Sequence, residues 1–326
     1  MITLNNNSTN SFFNIALEEY LFSNFKNDIF MLWRSEPSVI LGKHQNAYRE
    51  INLEYIHRKG ISVIRRISGG GAVYHDLGNL NFTFIQNSIE GKLVDFRKYT
   101  QPIVDVLQSL KLDVRFEGRN DLKINSLKIS GNAEHTFKNR VLHHGTLLFN
   151  SDLDSLRNAL KVKEDKYFDK AVRSVPSHVT NISSFLKEEL TIEEFKKNIF
   201  NHIKFLFPDS EEYMLTSNDL NEIAKLVEKK YNSKAWNFGR IGNYKFINSG
   251  TILNFEINIQ MIVQEGIIKD LIIISDFFDE FEKEKIIKSL LNNNHDFDIF
   301  LEIISNIDFG IKLTVYDLNK LTYLFF

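Results

Sequence analysis

The chain has 326 residues, 43% hydrophobic, 13% aromatic and 25% charged, which is the balance of a globular protein with a substantial core and enough length for two domains. A formal net charge of −2 argues against a general nucleic-acid or membrane-surface binder, and the absence of cysteine excludes disulfides, thiolate metal sites and cysteine nucleophiles. MITLNNNSTN carries no basic segment followed by an apolar run, and no window reaches the roughly 18 apolar residues of a membrane span, so a cytoplasmic protein without membrane contact is expected.

FNIALEEYLF, residues 13–22, spaces its apolar residues helically after an Asn/Ser/Thr stretch able to cap it, and predicts a helix. IFMLWR and SVILGK are β-rich runs split at Glu36-Pro37 and predict two strands around a turn. NLEYIHRKG predicts a helix stopped at Gly60, and ISVIRRI a buried strand that runs directly into three glycines. NLNFTFI predicts another strand and FRKYTQPIVDVLQSLKL a helix. VRFEGRNDLKI and SLKISGNAEHTF predict a pair of strands joined at Asn125-Ser126, and VLHHGTLLFN a further strand. From about 186 to 231 the spacing is mostly helical, with Thr191 and the Glu193-Glu194 first turn marking a start. Past WNFGRIG the pattern turns to strands and then to two helices, EFEKEKIIKSLL and DFDIFLEIISN. The expected fold class is α+β, or mixed α/β: a large domain, 1–238, on a mixed β-sheet with flanking helices, and a small C-terminal α+β domain, 239–326.

Glycine is scarce, 15 in all, so RRISGGGAVYHD stands out. Three adjacent glycines cost backbone entropy and suit a place where the chain takes unusual φ/ψ or lets a ligand touch the main chain. The stretch is neither a P-loop nor the dinucleotide fingerprint, since GxxxxGK[ST] is absent and the glycines lead into a strand rather than a helix. A glycine turn can align main-chain N–H groups as an anion nest, with Arg65 and Arg66 adding charge; a tight strand connection with two surface arginines is the other reading. Ser68, His75, Asp76 and Asn79 are polar in an apolar context and favour a phosphate or carboxylate site. Lys128 alternates with Leu127 and Ile129 and so faces away from them, although a strand lysine is more often solvated. His143 and His144 fall on opposite faces of a strand, which excludes a shared metal site and leaves one of them as a buried, hydrogen-bonded histidine.

FNIALEEYL, LWRSEPSVILGKHQN, RRISGGGAVYHDLGNLNFTFI, GRNDLKI, KISGNA and HHGTLLFN occur in this order over about Phe13 to Asn150, and together they resemble the lipoate-protein ligase A family, with a biotin/lipoate ligase-like fold. The segment from Trp236 looks like the small accessory domain of two-domain bacterial members. The resemblance implies a ligase that converts lipoate and Mg-ATP into lipoyl-AMP and pyrophosphate. It then passes the lipoyl group to a lysine of a lipoyl-domain protein, either the glycine-cleavage H protein or a 2-oxoacid dehydrogenase E2 subunit. It places Arg66, Gly71, Ala72, Val73 and Tyr74 on ATP, and Lys128 on both ATP and lipoate as the catalytic residue. Arg65, Ser68 and Gly70 would line the acyl pocket. Asn79, Asn120, Asp121 and Thr146 would surround the adenylate, with His144 on its lipoyl side. No metal ligands are assigned, and a monomer is expected.

Where family members commonly read SVRSRVTN, this chain reads SVPSHVTN, residues 174–181, so Pro176 and His178 replace two arginines in a loop that closes over the adenylate. That departure suits an alternative, a lipoyltransferase that accepts preformed lipoyl-AMP but activates free lipoate weakly; Lys170 and Arg173 are the neighbouring cations. An acyl-enzyme transferase of the same fold is excluded because it needs a cysteine. A non-catalytic binding module is disfavoured by Arg66, the glycines and Lys128, and a biotin ligase by the pairing of RRISGGG with KISGNA.

Overall fold

The computed structural model describes residues 1–87, 95–118, 120–160, 166–239, 242–309 and 313–326; Arg119 of the GRND motif and residues 240–241 near the expected domain boundary lie outside them. In chain order, the first strands and helices are β1 (Ile2–Asn5), α1 (Ser11–Asn24), β2 (Ile29–Trp33), β3 (Ser38–Leu41), α2 (Ala47–Glu50), α3 (Leu53–Lys59), β4 (Ser62–Arg65), β5 (Val73–His75) and β6 (Asn79–Asn87). There follow α4 (Phe96–Ser109), β7 (Val114–Glu117), β8 (Asp121–Ile124), β9 (Leu127–Phe137), β10 (Arg140–Leu148), α5 (Leu153–Ala159) and β11 (Tyr167–Phe168). The remainder comprises α6 (Ile192–Leu206), β12 (Glu211–Glu212), α7 (Ser217–Leu226), α8 (Lys234–Asn237), β13 (Tyr244–Ile252), β14 (Phe255–Gln264), β15 (Ile267–Ser275), α9 (Glu280–Leu290), α10 (Phe297–Ser305) and α11 (Val315–Tyr323). No helix among the described residues is long and apolar enough to cross a membrane.

Local chemistry sets the boundaries. The Asn10 side chain accepts the Phe13 N–H at the start of α1, α3 ends on Gly60 at φ 63, and Thr191 with Glu194 forms the capping box of α6. The run from 114 to 137 is three strands rather than the expected pair, because Gly118 at φ 64 turns VRFE back on DLKI before Asn125 and Ser126, at φ 49 and 64, make the second turn. The strands on either side of Glu36-Pro37 are not partners: β2 enters one sheet and β3 another. The sequence pattern does not announce β1 in the asparagine-rich start, the short α2, α5, α8, β11 and β12, or α11 near the C-terminus.

The chain forms two compact units. The first comprises Met1–Lys43, Ile61–Asn158 and Ser174–Ser233. It holds a mixed eight-stranded sheet in the order β12-β1-β2-β6-β10-β9-β8-β7 and a three-stranded sheet, β4-β3-β5. Along β6, Leu80, Phe82 and Phe84 enter a core completed by Tyr99, Ile103 and Leu107 of α4 and Phe195, Ile199 and Ile203 of α6. By strand alternation Asn79, Asn81 and Thr83 face the other way. The second unit comprises His44–Gly60, Ala159–Arg173 and Lys234–Phe326, on a four-stranded sheet in the order β11-β13-β14-β15. Its two earlier stretches cannot be assigned by a single cut in the sequence, since the short β11 joins the sheet only by pairing Tyr167 and Phe168 with β13.

Gly145 sits between the two histidines and Thr146, where a Cβ would come within 2.1 Å of Asn132 Oδ1 and 2.5 Å of the Phe82 ring. Gly145→Ala is therefore expected to lower stability by about 1–3 kcal/mol or more through overpacking, read as a lower urea midpoint at unchanged slope.

Candidate active site

All the residues singled out for the site lie in the first unit. The polar face of its large sheet is built from adjacent strands: Trp33 of β2 pairs with Asn81 of β6, and Thr83 and Asn81 of β6 pair with His144 and Thr146 of β10. The smaller sheet delivers the glycine loop, with Val73 and Tyr74 on β5 paired to Ile40 and Val39 of β3.

Arg65 and Arg66 are buried rather than on the surface. Arg66 donates through Nε to Ser68 Oγ at 2.9 Å, through Nη1 to the Ile40 carbonyl at 2.9 Å, and through Nη2 to the Gly69 and Gly71 carbonyls at 2.6 and 2.8 Å. The loop thus turns carbonyls toward the guanidinium. Arg65 donates to the Gly42 carbonyl at 2.9 Å and, more weakly, to that of Lys43. Burial pulls the Arg66 guanidinium down to about 10, Glu18 opposes that and Arg65 adds to it, so Arg66 remains a cation at neutral pH.

Two of the three glycines have a structural reason in the chain itself. Gly70 takes φ 88 and lies against Ala133 of β9, while a Cβ on Gly71 would meet Ser174 Oγ at 2.9 Å and its Cα at 3.2 Å. Nothing in the structure requires Gly69 to lack a side chain. The Ala72 N–H, an expected nucleotide contact, donates to Ser174 Oγ at 2.9 Å.

Lys128 stands on β9 with its Nζ 2.8 Å from Asp121 Oδ1, both side chains about a fifth exposed. A Cβ on Gly131 would approach Lys128 Cε and Nζ at 3.0 and 3.1 Å, so the glycine of KISGNA leaves room for the lysine to lie across the strand. Asn120 and Thr146 brace this strand. Asn120 Nδ2 donates to the Asn132 carbonyl at 2.6 Å, Asn132 Nδ2 returns a bond to the Asn120 carbonyl at 2.9 Å, and Thr146 Oγ1 accepts the Gly131 N–H at 3.2 Å. The SVPSHVTN loop docks here by its backbone: the Lys128 N–H donates to the His178 carbonyl at 2.8 Å, and the Thr180 N–H to the Lys128 carbonyl at 3.0 Å. The side chains that depart from the family pattern, Pro176 and His178, are exposed and take no part in that docking.

Both histidines of HHGT are buried, on opposite faces. His143 meets Glu134 at 2.8 Å on the core side. His144 lies on the site side, with Nε2 2.7 Å from Ser68 Oγ and Nδ1 3.0 Å from the Glu18 carboxylate. The sequence does not single out Glu18 as a site residue: a glutamate among the leucines of α1 carries no motif of its own, and only the tertiary packing turns it inward.

His75 is one of the polar residues that favour an anion site from the sequence, and it is buried. It packs edge-on to Trp33 with ring centroids 5.5 Å apart, and neither ring nitrogen has a hydrogen-bond partner. Asn79 Oδ1 and Asn81 Nδ2 are likewise buried without one, although Asn79 Nδ2 donates to Asn81 Oδ1 at 2.9 Å. Such orphaned polar atoms, on β5 of the smaller sheet and on one face of β6 in the larger, are what a ligand or ordered water satisfies.

The buried Arg66 thus braces the glycine loop from inside, and Lys128 is held by a carboxylate on β9. The family model described as the lipoyl protein ligase A/B catalytic domain matches residues 10–204. Lipoate–protein ligase 1 of Staphylococcus aureus is 43% identical over 93% of each chain, and the Bacillus subtilis lipoate-protein ligase LplJ is 36% identical over 93% of each. Among solved structures, the Thermoplasma acidophilum lipoate protein ligase studied with its E2 lipoyl domain is 29% identical, with TM-score 0.64, over 74% of this chain and 96% of its own. A lipoate-protein ligase A bound with ATP gives 29% and 0.63, over 74% and 98%. The T. acidophilum protein Ta0514 with bound lipoic acid gives 28% and 0.63, over 73% and 98%. The chain belongs to the lipoate–protein ligase family and is an enzyme of that class.

His75 is pulled down to about 3 by burial, with the Arg66 charge adding to it, and burial holds His143 well below its ordinary value. Both are neutral in the native state and gain a proton on unfolding below pH 6.5. Stability is therefore complete above that pH and falls as acid is added, by about 1.4 kcal/mol per pH unit for each histidine. Urea midpoints at pH 7.5 and 5.5 should show this loss, and His75→Phe should reduce it.

Proposed function

We propose that the enzyme activates lipoate with Mg-ATP to lipoyl-AMP and pyrophosphate, then transfers the lipoyl group to a lysine amine of a lipoyl-domain protein, an H protein or an E2 subunit. The observation that carries this is Lys128, an ammonium held by Asp121 on the strand where the 174–181 loop docks. A carboxylate attacking an α-phosphate brings two anions together, so the chemistry is mainly charge neutralisation and positioning. Lys128 serves both half-reactions, first on the phosphoryl group and then on the oxyanion formed as the acceptor amine attacks. Gly71, Ala72, Val73 and Tyr74 take the nucleotide, with Asn79, Asn120, Asp121 and Thr146 around the adenylate. Arg65, Ser68, Gly70 and His144 take the acyl group. Four of the five Arg66 N–H donors already have protein partners, so Arg66 acts by its charge and by shaping the loop more than as a two-pronged clamp.

Mg²⁺ needs about one or two carboxylates when it arrives with nucleotide phosphates. Among the described residues no three His, Asp or Glu side chains converge to make a cage, and Asp121 beside Lys128 is the carboxylate that fits. We place the reaction in the cytoplasm, on a monomer, with residues 239–326 as an accessory domain. A transferase that uses only preformed lipoyl-AMP is the second reading. Pro176 and His178 favour it, since the loop keeps its backbone docking but presents no arginine at either position.

Intact mass of an apo lipoyl domain after incubation with enzyme, lipoate and Mg-ATP tests the proposal, with synthetic lipoyl-AMP in parallel. A lipoyl mass gain in both reactions is expected; gain with lipoyl-AMP alone selects the transferase, and gain in neither overturns both. Lys128→Ala should lower either transfer by about 100-fold or more.

A further inference from the structure

Glu18 lies at the meeting point of a buried hydrogen-bond chain that runs from Trp33 to Arg66. Trp33 Nε1 is 2.9 Å from Thr83 Oγ1, which is 2.6 Å from Glu18 Oε1; Glu18 is 3.0 Å from His144 Nδ1 through each oxygen. His144 Nε2 is 2.7 Å from Ser68 Oγ, and Ser68 Oγ is 2.9 Å from Arg66 Nε. Every member of the chain is under a tenth exposed.

The donor-only indole and the acceptor-only carboxylate set the direction of the protons along the chain. An indole N–H can only donate, so Thr83 accepts from Trp33 and turns its own hydrogen to Glu18. On the other arm Ser68 accepts from Arg66 Nε but keeps a second lone pair, so the order is set from the carboxylate: Glu18 only accepts, the proton between it and His144 belongs to Nδ1, and the neutral imidazole accepts the Ser68 hydrogen at Nε2. Both arms therefore converge on one carboxylate, which is also the anion that opposes the buried charge of Arg66.

We propose that Glu18 is the positioning residue of the acyl site: it holds His144 as the Nδ1–H tautomer and, through His144, sets the hydroxyl of Ser68 against Arg66 so that the glycine loop meets the acyl-adenylate in one arrangement. This rests on the ligase reading for its kinetic consequence but not for the tautomer. Without the carboxylate, Thr83 and His144 lose their shared acceptor, His144 is free to take the other tautomer, and Nε2–H then donates to Ser68, whose own hydrogen loses its acceptor and turns away. Glutamine at 18 keeps the shape and one acceptor oxygen while removing the charge.

The first measurement is the imidazole ¹H–¹⁵N spectrum of the full-length wild-type enzyme, with the His144 signals assigned by their loss in His144→Asn. The Nδ1–H tautomer is expected, and an Nε2–H tautomer or an imidazolium at pH 7.5 overturns the proposal without any Glu18 variant having to fold. The second is kinetic. Glu18→Gln should raise KM for lipoate about tenfold with a smaller change in kcat, and Glu18→Asp should recover part of the loss. Wild-type KM in Glu18→Gln overturns the positioning role even if the tautomer is as expected. If the wild-type enzyme modifies no acceptor at all, the ligase reading fails, while the spectrum still decides what Glu18 does to His144.

Discussion

The bonding of Arg66 is the constraint on which the site depends. A buried guanidinium is tolerable only where its donors find acceptors, and here they are supplied by Ser68, by the Ile40 carbonyl in the smaller sheet and by two carbonyls of the glycine loop. The loop is therefore shaped from inside by its own arginine. The glycines answer to that shape and to their neighbours: Gly70 supplies the positive φ, and Gly71 the space for Ser174.

Around this centre, strand alternation sorts residues by face. On β6 and β10 the same few residues build the core with one parity and the site with the other, so that His143 belongs to the packing beside Glu134 and His144 to the site beside Glu18 and Ser68. Gly145 has the core parity, where it fits tightly against its cross-strand partners Phe82 and Asn132.

The loop at 174–181 joins the two clusters of the site. Ser174 caps the Ala72 N–H at the glycine loop, and the backbone at His178 and Thr180 pairs with Lys128. Docking by main-chain groups tolerates changes of side chain, which is how Pro176 and His178 coexist with a well-formed contact. What those positions lack is the guanidinium charge of an arginine, while the loop keeps its backbone docking.

Much of this was legible from the sequence. The helix caps, the run of glycines after a strand, the opposed faces of His143 and His144, and the ordered motifs that mark the ligase family all depend on local chemistry or on spacing along the chain. Other features were not. Glu18 reads as one more glutamate on a helix, since nothing within a few residues tells it to face His144, which lies 126 residues away. The burial of Arg65 and Arg66 was equally hidden, because their acceptors include carbonyls from a strand more than twenty residues earlier. The sequence by itself determined the element types, the family and the candidate residues, because these follow from periodicity and motif. Only the tertiary structure decided which polar groups pair with which, because buried hydrogen bonds are satisfied across strands and sheets that the order of the chain does not place side by side.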